Sequence, residues 1–554
     1  MLLAVLLIAV IGAGGQLSAE PLGFLPVDAA GRLPADHPLA GVVAALSKGN
    51  SKSARELLKP VLTAKPTLAM AHELDGFLLA DAGDLPGAEA AFRKGTTLDA
   101  KPRVSHAALG EVLFLQGKYQ EARTQFNTYL KVSPGDAKTQ NFLGRLAALR
   151  GDTRQAIAHF NLVSGTDALA QGAKLQIALL QAATGNAANA KVVLASCTGS
   201  CQEIPTYLLA QSEIDRVEGR LGAAEAKLVQ LVKRDPAAGE IWLQIGALRR
   251  SRGDLPGAED AFNMAARVPQ WKPVATLATA STMLVRKDPR ALSTLAELVR
   301  QKQLPEAYVL LAEAQASANR TVEAGQTLRA LTSDHETFPQ GHLLLGLWYL
   351  GQNQSPRAVP SLRTAVKLQP DLVQGWIHLA DISSHAHHSE EAVALLRTGM
   401  KNAPANSELP YYLGLEFEQQ GNWAEAERAY AAAVSLRPDF VFAMNNRARM
   451  LVRTGGDLAL AEQMMRKVVA QAPKDSLAIA NLGWVLVHRG KLAEAMPLLQ
   501  EAVTATPQNP EIHYYLSVAL QKQGKTKESA DRLRLAFERG LPQDYVATQG
   551  AHPR

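Results

Sequence analysis

The chain has 554 residues, of which 47% are hydrophobic, 20% charged and 5% aromatic, and this composition is too apolar for a disordered protein. One compact core does not extend over such a length, so the chain forms several domains or an extended repeat array. Lys and Arg exceed Asp and Glu by 6, without the basic block of a nucleic-acid-binding arm, and we expect no nucleic-acid partner.

The N-terminus contains an apolar run from Leu2 to Ala13. Its length suits the central region of a signal peptide and is short for a membrane span. A small residue at Ala19 fits a cleavage site, so residues 1–19 are predicted to be a signal peptide and residues 20–34 a linker. Because no Lys or Arg precedes Arg32, two alternatives remain, namely an uncleaved membrane anchor and a translation start further upstream.

The chain has 2 cysteines, Cys197 and Cys201, in the segment ASCTGSC. In an exported protein an isolated, closely spaced pair predicts a disulfide. Gly199 between them favours a chain turn. Two free thiols are an alternative, and a metal site is a third that would need more ligands than this segment offers.

A repeated phrase organises the rest of the sequence. Its final proline recurs at intervals of 34, 35 and 34 residues, at Pro404, Pro438, Pro473 and Pro507. The small and apolar positions within one phrase are constant and are represented by the set Gly414, Gly421, Ala426, Tyr430 and Ala433. A fixed period of this length predicts a tandem array of structural repeats.

The pattern resembles the tetratricopeptide repeat, whose unit is two antiparallel helices joined by a turn. This resemblance implies an all-α fold, a right-handed superhelical solenoid of about 14–15 tandem helix-turn-helix units with a concave groove. Small residues where the two helices face each other let their backbones approach closely. The register divides the chain into an array of seven units at 35–272, a degenerate unit or array junction at 273–304, a second array of seven units at 305–543 and a tail at 544–554.

The sequence shows no sign of catalysis. No segment outside the repeats is long enough for a catalytic domain, and no phosphate-binding loop, nucleophile elbow or zinc-protease helix occurs. We therefore expect a non-enzymatic protein without a cofactor. One alternative is a metal site at the cluster His385–His388. In register, however, His387 replaces the usual turn glycine and His388 lies in the exposed loop, which favours a solvated turn.

Recognition of other proteins is the remaining function. The resemblance implies that the groove is lined by the first helix of each unit, and the C-terminal half offers the richer set of residues there. The predicted protein- or peptide-binding residues are Tyr411, Asn445, Asn446, Arg449, Arg453, Asn481, Trp484 and Tyr514. Arg and aromatic side chains are typical interface anchors.

Asn446 and Asn481 resemble the asparagines with which peptide-binding members of the family hold the main chain of a ligand. A chaperone C-terminus is not the expected ligand, because the position where the family's carboxylate clamp has Lys carries Asn445 and Ala480. The alternative is that these side chains serve only groove solvation and packing between units.

The sequence thus predicts a scaffold for other proteins or extended peptide segments. The resemblance to long exported bacterial proteins of this family implies a periplasmic location, or an inner-membrane anchor facing the periplasm. It also implies a role in assembling an exopolysaccharide-export, surface-protein or secretion system. A regulatory adaptor array that serves an enzyme in trans is the alternative from a different functional class.

Overall fold

The computed structural model describes residues 33–101, 103–543 and 545. The predicted signal or anchor segment 1–19 lies outside the described residues, as do most of the predicted linker 20–34 and of the tail 544–554. Within the described part, no helix combines the length and the apolar character needed to cross a membrane.

Thirty α-helices and two short 3-10 helices make up the regular structure of the described residues, which contain no strand. The chain divides into two compact units, Met1–Leu298 and Val299–Arg554, which we call the N-terminal unit and the C-terminal unit. Consecutive α-helices form pairs, and the all-α array of tandem helix pairs predicted from the sequence is confirmed.

In the N-terminal unit the first four helix pairs are Ala40–Ser47 with Ser51–Ala64, Ala69–Asp81 with Leu85–Leu98, Val104–Leu115 with Tyr119–Leu130, and Ala137–Leu149 with Thr153–Asn161. The next three are Ala168–Ala183 with Ala187–Ala195, Pro205–Val217 with Leu221–Arg234, and Gly239–Ser251 with Leu255–Ala266. The 3-10 helices are Gly199–Glu203 and Pro269–Trp271. Residues 273–304, predicted to be a degenerate unit or a junction, contain the pair Lys272–Val285 and Arg290–Arg300.

In the C-terminal unit the first four pairs are Pro305–Ser317 with Thr321–Asp334, Pro339–Gly351 with Ser355–Leu368, Val373–His385 with Ser389–Asn402, and Glu408–Gln419 with Trp423–Leu436. The last three are Val441–Thr454 with Leu458–Gln471, Ser476–His488 with Leu492–Ala505, and Pro510–Lys522 with Thr526–Glu538.

The turn inside most pairs is made by a glycine in the left-handed region, such as Gly421 with a φ of 73°. Four consecutive pairs have another residue there, namely Lys287, Asn319, Asn353 and His387, all with positive φ. His387 therefore takes the turn position that the register assigns to it. Left-handed backbone costs a residue with a Cβ more than it costs glycine.

The two helices of a pair approach each other closely at a second glycine. A Cβ built on Gly414 would lie 2.5 Å from Cε1 of Tyr430, a ring that is fully buried. No real Cβ contact is that short, so the glycine is a packing requirement. The pattern of small and bulky residues seen in the sequence thus determines the separation of the helices, and the first helix of each repeat occupies a defined position.

Candidate protein-binding site

The predicted binding residues lie on four consecutive first helices of the C-terminal unit. Tyr411 belongs to the helix Glu408–Gln419, and the next first helix, Val441–Thr454, carries Asn445, Asn446, Arg449 and Arg453. Asn481 and Trp484 lie on Ser476–His488, and Tyr514 lies on Pro510–Lys522. The structure brings the three asparagines into contact with one another and, separately, Trp484 into contact with Tyr514.

The three asparagines form a chain of hydrogen bonds. Asn481 Nδ2 donates to Asn445 Oδ1 at 2.9 Å, and Asn445 Nδ2 donates to Asn446 Oδ1 at 3.1 Å. Asn446 Nδ2 in turn donates to the hydroxyl of Tyr430 at 3.3 Å, and that hydroxyl donates to Glu418 Oε2 at 2.8 Å. The chain links three consecutive repeats.

This network changes what the asparagines can do. Asn481 is only 1% exposed, so its amide faces the interior, where it holds Asn445 in place. Asn445 and Asn446 are half-buried, and their amides already bond to each other and to neighbouring side chains. Asn481 is therefore positioned to orient Asn445, and of the three asparagines Asn445 and Asn446 keep part of their surface exposed.

The aromatic residues of the last two first helices form a stack. The rings of Trp484 and Tyr515 lie parallel with centroids 4.5 Å apart, and Tyr514 lies 5.7 Å from Trp484. All three are buried, so they form the core of the array at this point. Tyr412, in contrast, is 39% exposed and lies outside the core.

A cavity of about 710 Å³ lies beside the amide network. Asn446, Arg449 and Arg453 belong to its lining, together with three residues that sequence reasoning did not select, Trp423, Glu511 and Tyr545. Trp423 lies on a second helix, and Tyr545 lies within the predicted tail. Neither position belongs to the first-helix set, and no periodic signal in the sequence marks them.

The two arginines of the cavity differ in their partners. Arg449 Nη2 lies 3.3 Å from Glu418 Oε1. Burial alone would lower the pKa of Arg449, but the neighbouring Tyr515 and the negative charge of Glu418 raise it above its usual range.

Arg453 has no carboxylate partner among the described residues. Its guanidinium lies 3.5 Å from the centroid of the Trp423 ring, and its Nε is buried without a hydrogen-bond partner. Burial lowers the pKa of Arg453. Among the described residues this guanidinium therefore has an aromatic partner but no acceptor for its Nε.

The histidine cluster is at the surface. The side chains of His385 and His388 are 78% and 68% exposed, and His387 forms the turn between the helices. Within the described residues no group of three or more His, Cys, Asp or Glu side chains is arranged to hold a metal ion.

Cys197 and Cys201 are joined by a disulfide in the structure, with their Cα atoms 5.5 Å apart. Both residues are buried, and Cys201 lies in the 3-10 helix Gly199–Glu203 that connects two repeats of the N-terminal unit.

Family models described as tetratricopeptide repeat match residues 107–170, 209–270, 411–476, 454–510 and 486–547. The TPR repeat-containing protein PA4667 of Pseudomonas aeruginosa is 25% identical over 27% of this chain and 26% of its own length. Human tetratricopeptide repeat protein 7A is 25% identical over 34% of this chain and 23% of its own length. The protein O-mannosyl-transferase Tmtc3 of Drosophila melanogaster is 26% identical over 27% of this chain and 20% of its own. The chain thus spans about a quarter of the length of the curated relatives that it matches.

Solved structures with similar folds include the Cut9-Hcn1 hetero-tetramer of the APC/C, at 12% identity and a TM-score of 0.38 over 93% of this chain and 96% of that one. Yeast Tom70 has 12% identity and a TM-score of 0.33 over 86% of this chain and 100% of that one. The repeat pattern, the helix pairs and the matching family models lead to one assignment, which is that this chain belongs to the tetratricopeptide repeat family.

Proposed function

We propose that this chain is a non-enzymatic scaffold of the bacterial envelope that holds partner proteins at the cavity around Arg453. Its membership of the tetratricopeptide repeat family supports a protein-interaction scaffold in general. The observation that carries the specific proposal is the guanidinium of Arg453, which is stacked on Trp423 and has no ion-pair partner within the part of the chain that the structure describes.

The chemistry of Arg453 suits an interface anchor. Stacking on the indole fixes the plane of the guanidinium and shields one of its faces from water, which strengthens any hydrogen bond that it donates. Arg and Trp are also the side chains that most often dominate the binding energy of interfaces. A carboxylate or a main-chain carbonyl of a partner is the complementary group.

The amide network supports this anchor. Asn446 and Arg449 line the same cavity, and each is held by a neighbouring residue, Asn446 by Asn445 and Arg449 by Glu418. Side chains that are already fixed lose less conformational freedom when a partner binds. The cavity wall is therefore preorganised around the one cation without a partner.

We also propose that the scaffold works in the periplasm, cleaved from its signal segment or anchored by it. The apolar run of Leu2 to Ala13 and the disulfide between Cys197 and Cys201 support an exported protein. An exopolysaccharide-export, surface-protein or secretion system is the envelope context that we propose for its partners. N-terminal sequencing of the protein from a periplasmic fraction tests this location, and recovery in the cytosol alone would contradict it.

Affinity capture from envelope extracts tests the binding site. We expect the wild-type chain to retain a defined set of envelope proteins that Arg453→Ala loses. Arg428→Ala is the matched control, because the Arg428 side chain is 68% exposed on a second helix and pairs with Glu425. If wild type and Arg453→Ala retain the same set, the cavity is not the binding site, and retention of cytosolic proteins alone would contradict the envelope role.

A further inference from the structure

Ion pairs between consecutive repeats recur at a fixed spacing of 27 residues. Four of them join a residue of one second helix to the residue that follows the end of the next first helix. These four pairs are Glu225 with Arg252 at 2.8 Å, Glu259 with Arg286 at 2.9 Å, Glu462 with Arg489, and Lys191 with Glu218. A carboxylate and a cation thus neutralise each other at these junctions.

One junction of the N-terminal unit has two cations at these positions. Arg123, on the helix Tyr119–Leu130, stands where Glu225 and Glu259 stand in their own repeats, and Arg150, which follows the helix Ala137–Leu149, stands 27 residues later. Two like charges occupy a position that elsewhere holds an ion pair. Their repulsion is unfavourable unless a negative charge joins them.

A second ion-pair position of the same junction also lacks a carboxylate. At a spacing of 28 residues the array has the pairs Arg93 with Glu121, Arg363 with Glu391 at 2.8 Å, and Arg466 with Glu494 at 2.6 Å. In the junction of Arg123 and Arg150 the equivalent residues are Asn127 and Gln155, both of which are amides. Because Asn127 and Gln155 are uncharged, neither can balance the positive charges of Arg123 and Arg150.

These four residues line one cavity of about 420 Å³, together with Lys131 and His159. Among the described residues, no carboxylate belongs to its lining. Arg123 and Lys131 make no ion pair in the described part of the chain, and Arg150 donates only to Gln155 Oε1, at 3.4 Å. By comparison, Asp215 forms ion pairs with both Arg220 and Lys227 where these residues line another cavity of this unit.

The two acidic residues nearest to these arginines along the chain have other roles, and Glu121 pairs with Arg93. Asp152 accepts the main-chain N–H of Gln155 at 3.0 Å and so caps the helix Thr153–Asn161. It does not pair with either arginine. His159, whose Nδ1 lies 2.8 Å from Gln140 Oε1, has its pKa lowered by burial and by the charge of Arg150, which agrees with a positive environment.

The cationic and amide side chains around the cavity indicate which chemical group would bind there. Three cations and two amides surround a space with no negative charge of its own. A carboxylate would supply one charge, whereas a phosphate group carries about −1.5 to −2 near pH 7 and several acceptor oxygens. Planar guanidinium groups bind such oxygens with two parallel hydrogen bonds each.

We propose that the cavity between Arg123 and Arg150 is a binding site for a phosphate group, as inorganic phosphate or as a small phosphate monoester. The ligand would neutralise this junction as Glu225 and Glu259 neutralise theirs. This site lies in the N-terminal unit and is independent of the scaffold function proposed for the C-terminal unit.

Titration calorimetry of the whole chain with inorganic phosphate, and separately with glycerol 3-phosphate, tests the proposal at constant ionic strength. We expect saturable binding of at least one of them. Saturation by both means that the site accepts a free or an esterified phosphate group, and saturation by only one identifies which form it takes. Absence of saturable binding for both probes would overturn the proposal.

Arg123→Glu is the decisive variant, because it recreates the acidic residue of Glu225 and Glu259 beside Arg150. We expect it to fold and to bind phosphate weaker by about ten-fold or more, the loss that follows removal of a charge-assisted hydrogen bond. Arg123→Gln removes the charge without adding one and covers the case in which Arg123→Glu fails to fold.

Lys59→Glu is the matched control, since it makes the same change of charge at an exposed site on the helix Ser51–Ala64. We expect it to bind phosphate like the wild type. Equal loss of binding in Lys59→Glu and Arg123→Glu would show that net charge alone is responsible, and unchanged binding in the Arg123 variants would place the phosphate elsewhere. Either result would overturn the assignment.

Discussion

The guanidinium of Arg453 lies 3.5 Å from the centroid of the Trp423 ring, and the two residues come from consecutive repeats. The contact connects a first helix to the second helix that precedes it. It holds the arginine over the indole without the help of a carboxylate, so removal of the ring releases the cation into solvent.

We expect Trp423→Leu to weaken partner retention as Arg453→Ala does while leaving the array folded. Leucine keeps an apolar side chain at the start of the second helix but offers no ring face, and a cation–π contact contributes about 0.5–2 kcal/mol. Affinity capture and far-UV circular dichroism check both parts. Full retention by Trp423→Leu would mean that the stacking has no part in binding.

Asn481→Ala is expected to loosen the amide network from within. It removes the donor to Asn445 Oδ1, and an unpaired buried polar group costs about 1–3 kcal/mol. Hydrogen exchange should become faster in the helices Val441–Thr454 and Ser476–His488. Asn402→Ala is the control, because the Asn402 side chain is exposed and donates only to a carbonyl in its own helix. Equal exchange in the two variants would contradict a structural role for Asn481.

Gly414→Ala should destabilise its helix pair, because the new methyl group would lie 2.5 Å from the ring of Tyr430. Overpacking of this kind costs about 1–3 kcal/mol.

Gly172, in the interior of the helix Ala168–Ala183, has nothing within 4 Å of its built Cβ. Gly172→Ala is therefore expected to stabilise its own helix by about 0.5–1 kcal/mol. Local hydrogen exchange measures both effects, and the same sign for the two substitutions would contradict the packing argument.

The carboxylate of Glu462 makes the stability of the C-terminal unit depend on pH in the acid range. Burial would raise its pKa, but hydrogen bonds from Lys491, Arg466 and Arg489 lower it from 4.5 to about 2. Because the folded pKa lies below that of the unfolded chain, the stabilisation is present above about pH 4.5 and is lost as the pH falls towards 2.

Thermal unfolding at pH 6 and at pH 3 checks this dependence. We expect Glu462→Gln to reduce the difference between the two unfolding temperatures. Glu390→Gln serves as the control, since Glu390 forms no ion pair within the described residues and lies in the exposed first turn of its helix. The same temperature difference in Glu462→Gln and in wild type would exclude this carboxylate as the cause.

The disulfide is expected to stabilise the connection between two repeats by a modest amount. A loop of about five residues contributes about 2 kcal/mol on the loop-entropy account. In Cys197→Ser/Cys201→Ser we expect faster hydrogen exchange around the helices Ala187–Ala195 and Pro205–Val217, with little change in distant repeats. Alkylation of the unreduced wild-type protein should leave both cysteines unmodified, and labelling of both would contradict the bond.

The repeats could be predicted from the sequence because their rules are local. The residue types of Gly414, Tyr430 and Pro438 recur at the equivalent positions of other repeats. Each of these positions corresponds to one contact or one turn within a single pair of helices. The same register also identified His387 as a turn residue, because a helix pair of constant length leaves a single position for the left-handed backbone.

The side-chain contacts of the candidate site could not be predicted from the repeat pattern, because they depend on which side chains meet across repeats. Asn481 and Asn446 occupy equivalent positions, yet one is buried and the other lines a cavity, since Tyr430 and Asn445 offer them different partners. Tyr545 lies beside Tyr514, with centroids 5.7 Å apart, although its sequence position suggests only a polar tail. Contacts of this kind have no period.

The four turns without glycine make the array uneven along its length. Lys287, Asn319, Asn353 and His387 belong to consecutive helix pairs, and the left-handed backbone costs each of them about 1–2 kcal/mol relative to glycine. In a linear array each helix pair is stabilised only by the pairs next to it. Four weak pairs in a row are therefore stabilised mainly by one another, and stable pairs further along the chain do not contribute. We therefore expect residues 272–402 to unfold before the rest of the array, either for cleavage by a protease or under a force applied to the two ends of the chain.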